Sequence, residues 1–241
     1  MKEVGNVLTV GGVSSDTYKV KITGAGAYKA PAPTVTKKSV PGRNGDLVLR
    51  RSRPKYPNVR VTYPTLMMED IDTWMPQWRD YLASLHGYVR IEDTFNPDEY
   101  RMGFLADDID PEMATNLTLG IFDTVFECMP QRFLKSGEQA ITFTADGSIT
   151  NPTNQYALPL LKVYGYGDLT IGSDVITIED TGFSYIYIDC DTMQCYNGQV
   201  GVGSSVTLSS TDFPMLAPGV NTIGIEGSIT QVDITPRWWR L

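Results

Sequence analysis

From Ile141 to the end of the chain, short β-prone runs alternate with glycine turns, and this pattern limits the fold more than any other feature of the sequence. The runs are Ile141–Thr144, Leu158–Tyr164, Leu169–Ile171, Val175–Ile178, Tyr185–Ile188, Met193–Tyr196, Val206–Leu208, Thr222–Ile225 and Ile229–Ile234. Between them stand Gly165-Tyr166-Gly167, Gly172-Ser173-Asp174, Asn197-Gly198, Pro218-Gly219 and Gly227-Ser228. No run has room for a helix of ordinary length, and strands this short, spaced by turns, bury themselves as a β-sandwich. At the end, Pro218-Gly219 enters a strand, Gly227-Ser228 reverses it, and Pro236 stops it before Trp238-Trp239. The alternation of Ile223 and Ile225, then Val232 and Ile234, predicts one hairpin with a buried face.

The first half reads as strands and loops around one helix. Val7–Val10, Tyr18–Ile22 and Leu47–Leu49 are β-prone, as are Tyr88–Ile91, Tyr100–Leu105 and the longer run Leu117–Cys128, which alternates and then shifts phase. Ile71, Trp74, Met75, Trp78, Tyr81, Leu82 and Leu85 recur at spacings of three and four and predict an amphipathic helix. Glu69, Asp70 and Asp72 suit its N-terminal dipole, and Gly87 after His86 suits the position just past its end. Pro76 either starts this helix or kinks a longer one. The polar stretch Lys135–Gln139 marks a boundary between domains 1–135 and 136–241.

Composition excludes several roles. With 41% hydrophobic and 20% charged residues, the chain supports a packed core. A net charge of −8 opposes non-specific nucleic-acid binding. No apolar run approaches the roughly 20 residues that span a membrane, and the N-terminal segment lacks the apolar core of a signal peptide. Three cysteines, Cys128, Cys190 and Cys195, do not make a disulfide framework and point to folding in a reducing cytosol. The sequon at Asn116 is short enough to arise by chance.

Catalytic and ligand-binding patterns are sparse. The single histidine, His86, sits at a helix end, where it serves as a cap and not as a base. Phosphate loops of the GxGxxG and GxxxxGK[ST] types do not occur, and Cys190 with Cys195 lacks the second pair a zinc site needs. The acidic run Asp107-Asp108-Ile109-Asp110-Pro111-Glu112 has calcium-type ligands but neither the spacing nor the glycine of an EF-hand, so it reads as a solvated loop. Expected catalytic, metal and cofactor sites are therefore none. Residues 37–60 hold eight of the 20 basic residues and one acid, Asp46. With Tyr56 as its one aromatic apart from these charges, the stretch suits a hairpin or a charged protein interface better than a nucleic-acid site. Trp238 and Trp239 could stack on sugars, but neighbouring strand residues face opposite ways, so one of them belongs to the core.

Several of these segments, in order, resemble the distal tail protein (Dit) family of long-tailed phages infecting mainly Gram-positive hosts. They are Val40-Pro41-Gly42-Arg43-Asn44-Gly45-Asp46, the helix with Trp78 and Leu82 followed by Gly87 and Glu92-Asp93, Asn96-Pro97-Asp98-Glu99-Tyr100-Arg101, and Phe126-Glu127-Cys128-Met129-Pro130. In the second half the resemblance rests on Asn151 to Gly165, with a proline inside the strand, on Tyr185–Asp189, and on Phe213 to Asn221. The resemblance implies a mainly β, non-enzymatic siphophage protein: a tail-tube-like N-terminal domain with one helix that forms a homo-hexameric ring, and a galectin-like β-sandwich projecting outward. It implies partners too, namely the tail tube protein, the tail-tip hub or tail-associated lysin, and receptor-binding or baseplate proteins, with phage DNA passing through the channel. The expected location is the virion tail tip, after assembly in the host cytoplasm. Pro41, Gly42, Arg43, Asn44 and Gly45 become candidate subunit-interface residues. Two other readings remain: a carbohydrate-binding adhesion protein using Trp238 or Trp239, and a tail tube subunit. Galectin-type sites place polar His, Asn or Arg side chains beside a tryptophan, and the second domain has no histidine.

Overall fold

The computed structural model describes residues 6–26, 30–49, 55–68, 70–110, 112–113 and 120–241. The expected sequon and the start of the Leu117–Cys128 run, with Glu69 and Pro111, lie outside them. The fold is mainly β, and the chain divides into two compact units, Met1–Arg132 with Leu241, and Phe133–Arg240.

In the first unit, antiparallel strands follow the order Val13–Ser14, Leu8–Val10, Val89–Asp93, Glu99–Leu105, Gly120–Cys128, Val59–Met67, Val20–Ile22. Its spine is the nine-residue pairing of Val59–Met67 with Gly120–Cys128, in register from Val59 opposite Cys128 to Met67 opposite Gly120. Val59–Met67 alternates cleanly between buried and less buried positions. The sequence pattern does not single it out: Pro64 lies within it, and proline argues against a central strand. The exception has a local cause. The Pro64 carbonyl accepts the Thr23 N–H at 2.9 Å, so the missing Pro64 donor faces the same side, where the neighbouring strand has already ended at Ile22.

The helix spans Ile71–Ser84 and runs through Pro76, so the proline is not its start. Ile71, Met75, Trp78 and Leu82 are its buried stripe, and they share one core with Leu8, Val10, Val20, Val61, Tyr63 and Phe126. Trp78 is fully buried, with the Tyr18 ring 5.5 Å and the Tyr81 ring 6.1 Å away. The helix closes earlier than expected. Leu85 is already extended and exposed His86 lies beyond it, so Gly87, at φ 69°, belongs to the following turn and does not cap the helix.

The second unit is a sandwich of two antiparallel sheets around one core. One sheet is ordered Ile141–Phe143, Gln231–Thr235, Leu160–Tyr164, Tyr185–Asp189, Gln194–Asn197, Val200–Gly201. The other is ordered Gly147–Asn151, Gly219–Ile225, Gly167–Ile171, Asp174–Ile178, Val206–Leu208. Leu161, Val163, Ile188 and Ile234 of the first sheet bury against Leu169, Ile171, Ile176 and Ile223 of the second. Gly147–Asn151 was not foreseen as a strand. Pro159 precedes the strand Leu160–Tyr164 and does not lie inside it.

The expected terminal hairpin is corrected by this topology. Gly219–Ile225 and Gln231–Thr235 belong to different sheets, so Gly227-Ser228 is a corner from one sheet to the other. It runs beside a second corner, Gly165-Tyr166-Gly167, which joins Leu160–Tyr164 to Gly167–Ile171. The two stay hydrogen bonded around the bend: Glu226 N–H to the Asp168 carbonyl at 2.9 Å, Ser228 to Tyr166 at 2.8 Å, and Thr230 to Tyr164 at 3.0 Å. Alternation alone cannot separate a hairpin from such an arch, since both bury every second residue.

Glycine makes this double corner possible. Gly165 has φ 94° and Gly167 φ 140°, and a Cβ on either would lie 2.2 Å from a carbonyl oxygen, of Ser228 or Glu226. Gly165→Ala or Gly167→Ala is expected to cost about 2–4 kcal/mol, combining φ strain with a backbone clash. Gly172→Ala, at φ 62° with no neighbour within 4 Å, is expected to cost only about 1–2 kcal/mol. Urea unfolding of the three variants checks the difference.

Candidate assembly interface

Residues 34–49, with Lys55, build a feature that stands apart from both cores. Thr36–Lys38 and Leu47–Leu49 pair only with each other, with Thr36 opposite Leu49 and Lys38 opposite Leu47, and a bridge between Thr34 and Lys55 closes the base. Between the strands the chain turns through Pro41, Gly42, Arg43, Asn44 and Gly45. Gly42 and Gly45 have φ 78° and 80°, and the Arg43 N–H reaches the Val40 carbonyl at 3.2 Å. All five residues are exposed. So are Val35, Leu47, Val48 and Leu49, which range from 36% to 48% exposed and sit on both faces of the ribbon. Isolated two-stranded ribbons are marginal in water. Lys37, Lys38, Arg43 and Lys55 form no ion pair among the described residues. The segment is a basic arm with apolar side chains on display; Arg50, Arg51 and Arg53 lie outside the described residues.

The acidic run singled out in the sequence lines an open groove of about 430 Å³ in the same unit. Asp107, Asp108, Asp110 and Asp123 line it together with Ile121 and with the buried Phe122 and Val125. Asp107 pairs with Arg60, while Asp108, Asp110 and Asp123 have no ion-pair partner among the described residues. Ile121 is 54% exposed. On this side the Gly120–Cys128 strand pairs with Glu112–Met113 at Gly120 and Ile121, and with Glu99–Leu105 from Phe126 to Cys128. Asp123 lies between them without a strand neighbour on that side among the described residues. Nothing in the one-dimensional pattern tied Ile121 and Asp123 to the acidic run; the departure of the chain after Leu105 does.

Motif residues elsewhere act as internal pins. The Asn96 N–H and side-chain amide both donate to Asp93, while the Asn96 side-chain oxygen Oδ1 accepts from Arg132. Arg132 also pairs at 2.6 Å with Glu99, which is 6% exposed. Beside them Arg101 is 8% exposed, and burial holds its pKa below the ordinary value. Asn151 donates to the Gln155 and Leu216 carbonyls and accepts from Thr153. Asn221 accepts from the Ala217 N–H and donates to the Ala217 and Gly219 carbonyls, which locks the Pro218-Gly219 turn.

The tryptophan pair splits. Trp238 is 4% exposed and sits in the sandwich core, where a sugar ring has no access to its face. Trp239 packs partly against that core, and its indole N–H donates to the Tyr156 carbonyl at 2.9 Å. A feature missed in the sequence lies on one sheet surface: the Lys162 ammonium covers the Tyr185 and Tyr164 rings at 4.2 and 4.8 Å, and Tyr187 stacks on Tyr196. The cysteines are buried and unbridged. Burial pushes the Cys128 thiol up to about 12 and that of Cys195 up to about 11, which suits packing and not reactivity at neutral pH. Among the described residues no group of three or more His, Cys, Asp and Glu could hold a metal, and no helix is long and apolar enough to cross a membrane.

Arg237, at φ 55°, grips Asp189 with two hydrogen bonds of 2.7 and 3.1 Å. Burial alone would raise the Asp189 pKa. The Arg237 hydrogen bonds and charge, with the Asp191 and Thr192 N–H groups, bring it below the ordinary carboxylate value. A depressed pKa adds stability that is complete above the unfolded value of about 4 and is lost as pH falls through the folded value. Asp189→Asn is therefore expected to lower the melting temperature at pH 7 and to shrink its drop on acidification, as read by melts at pH 7 and below 4.

No family model and no curated protein matches the chain. Solved structures do. The crystal structure of the Dit protein of phage SPP1, described as a paradigm of the hub adsorption apparatus in Gram-positive-infecting phages, superposes with a TM-score of 0.68. Identity is 13%, over 98% of this chain and 99% of that one. The phage P2 baseplate in its activated conformation, with calcium or with strontium, gives TM-scores of 0.49 and 0.48 at 10% and 9% identity, covering 95% of this chain and 97% of that one in each case. These two are too distant to bear on the argument. From end to end, the chain has the fold of the SPP1 distal tail protein.

Proposed function

We propose that this chain is a structural virion protein that forms a ring at the distal end of a phage tail tube and joins the tube to the tail-tip hub and host-adsorption apparatus. The observation that carries the reading is the whole-chain likeness to the SPP1 Dit protein, in which both units take part. In this reading residues 1–135 form the homo-hexameric ring, and residues 136–241 are the galectin-like platform for receptor-binding or baseplate proteins. The tail tube protein lies on one side of the ring, and the hub or tail-associated lysin on the other. The chain is not an enzyme. Its place is the virion tail tip, reached by assembly in the host cytoplasm, and its net charge of −8 suits a channel through which DNA slides without sticking.

The exposed arm gives the reading a physical basis. A ribbon with Val35, Leu47, Val48 and Leu49 open to water gains stability by docking on a neighbour, and a head-to-tail contact repeated by rotation closes a ring. The buried face of Trp238 and the tethered edge of Trp239 weigh against a sugar-binding adhesin built on that pair.

Light scattering and negative-stain images of the purified chain test the proposal. Ring particles of about six copies are expected. A chain that stays monomeric at every concentration, even with its tail partners present, overturns it.

A further inference from the structure

We infer that the basic arm, residues 34–49 with Lys55, seats in the acidic groove of Asp107, Asp108, Asp110 and Asp123 on the next copy of the chain. The inference rests on the ring reading above and names the contact that closes the ring.

Arm and groove complement each other in three respects. In charge, Lys37, Lys38, Arg43 and Lys55 are exposed on one element and form no ion pair among the described residues. Asp108, Asp110 and Asp123 likewise have no ion-pair partner on the other. In apolar surface, Leu47, Val48 and Leu49 are half exposed on the arm, and Ile121, 54% exposed, is the open apolar side chain of the groove. In backbone pairing, the Gly120–Cys128 strand has no strand neighbour at Asp123 on the groove side among the described residues. The arm strands pair only with each other, so each keeps a free edge. An exposed strand that meets a gap in a sheet adds to it through main-chain bonds, with side-chain pockets giving register.

The occupant is a second copy because one chain carries both halves of the contact in full. Donor and acceptor are different surfaces, so the contact is heterologous and repeats around a ring. An extended ribbon from Thr34 to Gly42 reaches about 25 Å at roughly 3.3 Å per residue, long enough to cross a subunit boundary. Opposite charges at the rim steer the encounter and fix register, and like charges there are strongly penalised. Arg60, already paired with Asp107, leaves the other three carboxylates for the incoming lysines and arginine.

A charge swap in the full-length chain tests the contact. The arm variant is Lys37→Glu with Lys38→Glu, and the groove variant is Asp108→Lys with Asp123→Lys. All four residues are exposed, and melting curves verify folding. Each variant alone is expected to raise the concentration at the assembly midpoint by on the order of tenfold or more. Combining the two in one chain is expected to restore assembly to within about threefold of wild type. Loss that the combination does not restore overturns the contact. So do variants whose midpoint is unchanged, and rings that persist in that case leave the ring reading standing. A wild-type chain that never assembles overturns both.

Discussion

The second unit depends on how a chain leaves one sheet for another without stranding its backbone polar groups. Each crossing exposes peptide groups that no longer have strand partners, and burying them unpaired is costly. Here two crossings run together and pair with each other through Glu226 with Asp168, Ser228 with Tyr166, and Thr230 with Tyr164. The sheets on either side are thus fixed in register by one continuous ladder bent at glycine. The Ile and Val residues of both inner faces meet in the core between these sheets. At the other end, Arg237 adopts a left-handed backbone that ordinary residues avoid, and the bidentate grip on Asp189 offsets that cost.

Much of this was legible in the residues. The glycine turns gave the strand count of the sandwich closely, and the three-four spacing of Ile71, Met75, Trp78 and Leu82 gave the helix face. What failed did so for identifiable reasons. Pro64 hid the central strand of the first unit, because a one-dimensional rule cannot know that the neighbouring strand stops at Ile22. The last two strands looked like a hairpin, because an arch between sheets has the same alternation. Asn96, Asn151 and Asn221 stand out as motif residues, yet what they do is closing loops, and for Asn96 and Asn151 this includes partners far away in sequence, Arg132 and Leu216. Of the interface, the basic stretch and the acidic run were both visible. The exposed Ile121 beside the carboxylates and the gap at Asp123 were not, since they arise where one strand diverges from another.

The two charged surfaces sit on a chain that is acidic overall. The arm concentrates positive charge on a chain of net charge −8, and in the proposed contact its attraction to the groove would be screened beyond about 10 Å at 0.1 M salt. In the proposed contact its apolar side chains and strand edges would supply the short-range part. Range and strength are thereby separated: charge governs the encounter, and surface burial governs how long it lasts.

The arm has a cost before assembly. A free ribbon with Leu47, Val48 and Leu49 in a row is the kind of edge that recruits other edges indiscriminately. Lys37 lies directly opposite Val48, and Lys38 opposite Leu47, so two arms that tried to zip together would bring ammonium groups against ammonium groups. These lysines act as gatekeepers. Under the proposed contact they disfavour the pairing of two arms and suit a carboxylate-lined slot, so the charge that guides assembly would also hold back misassembly before it.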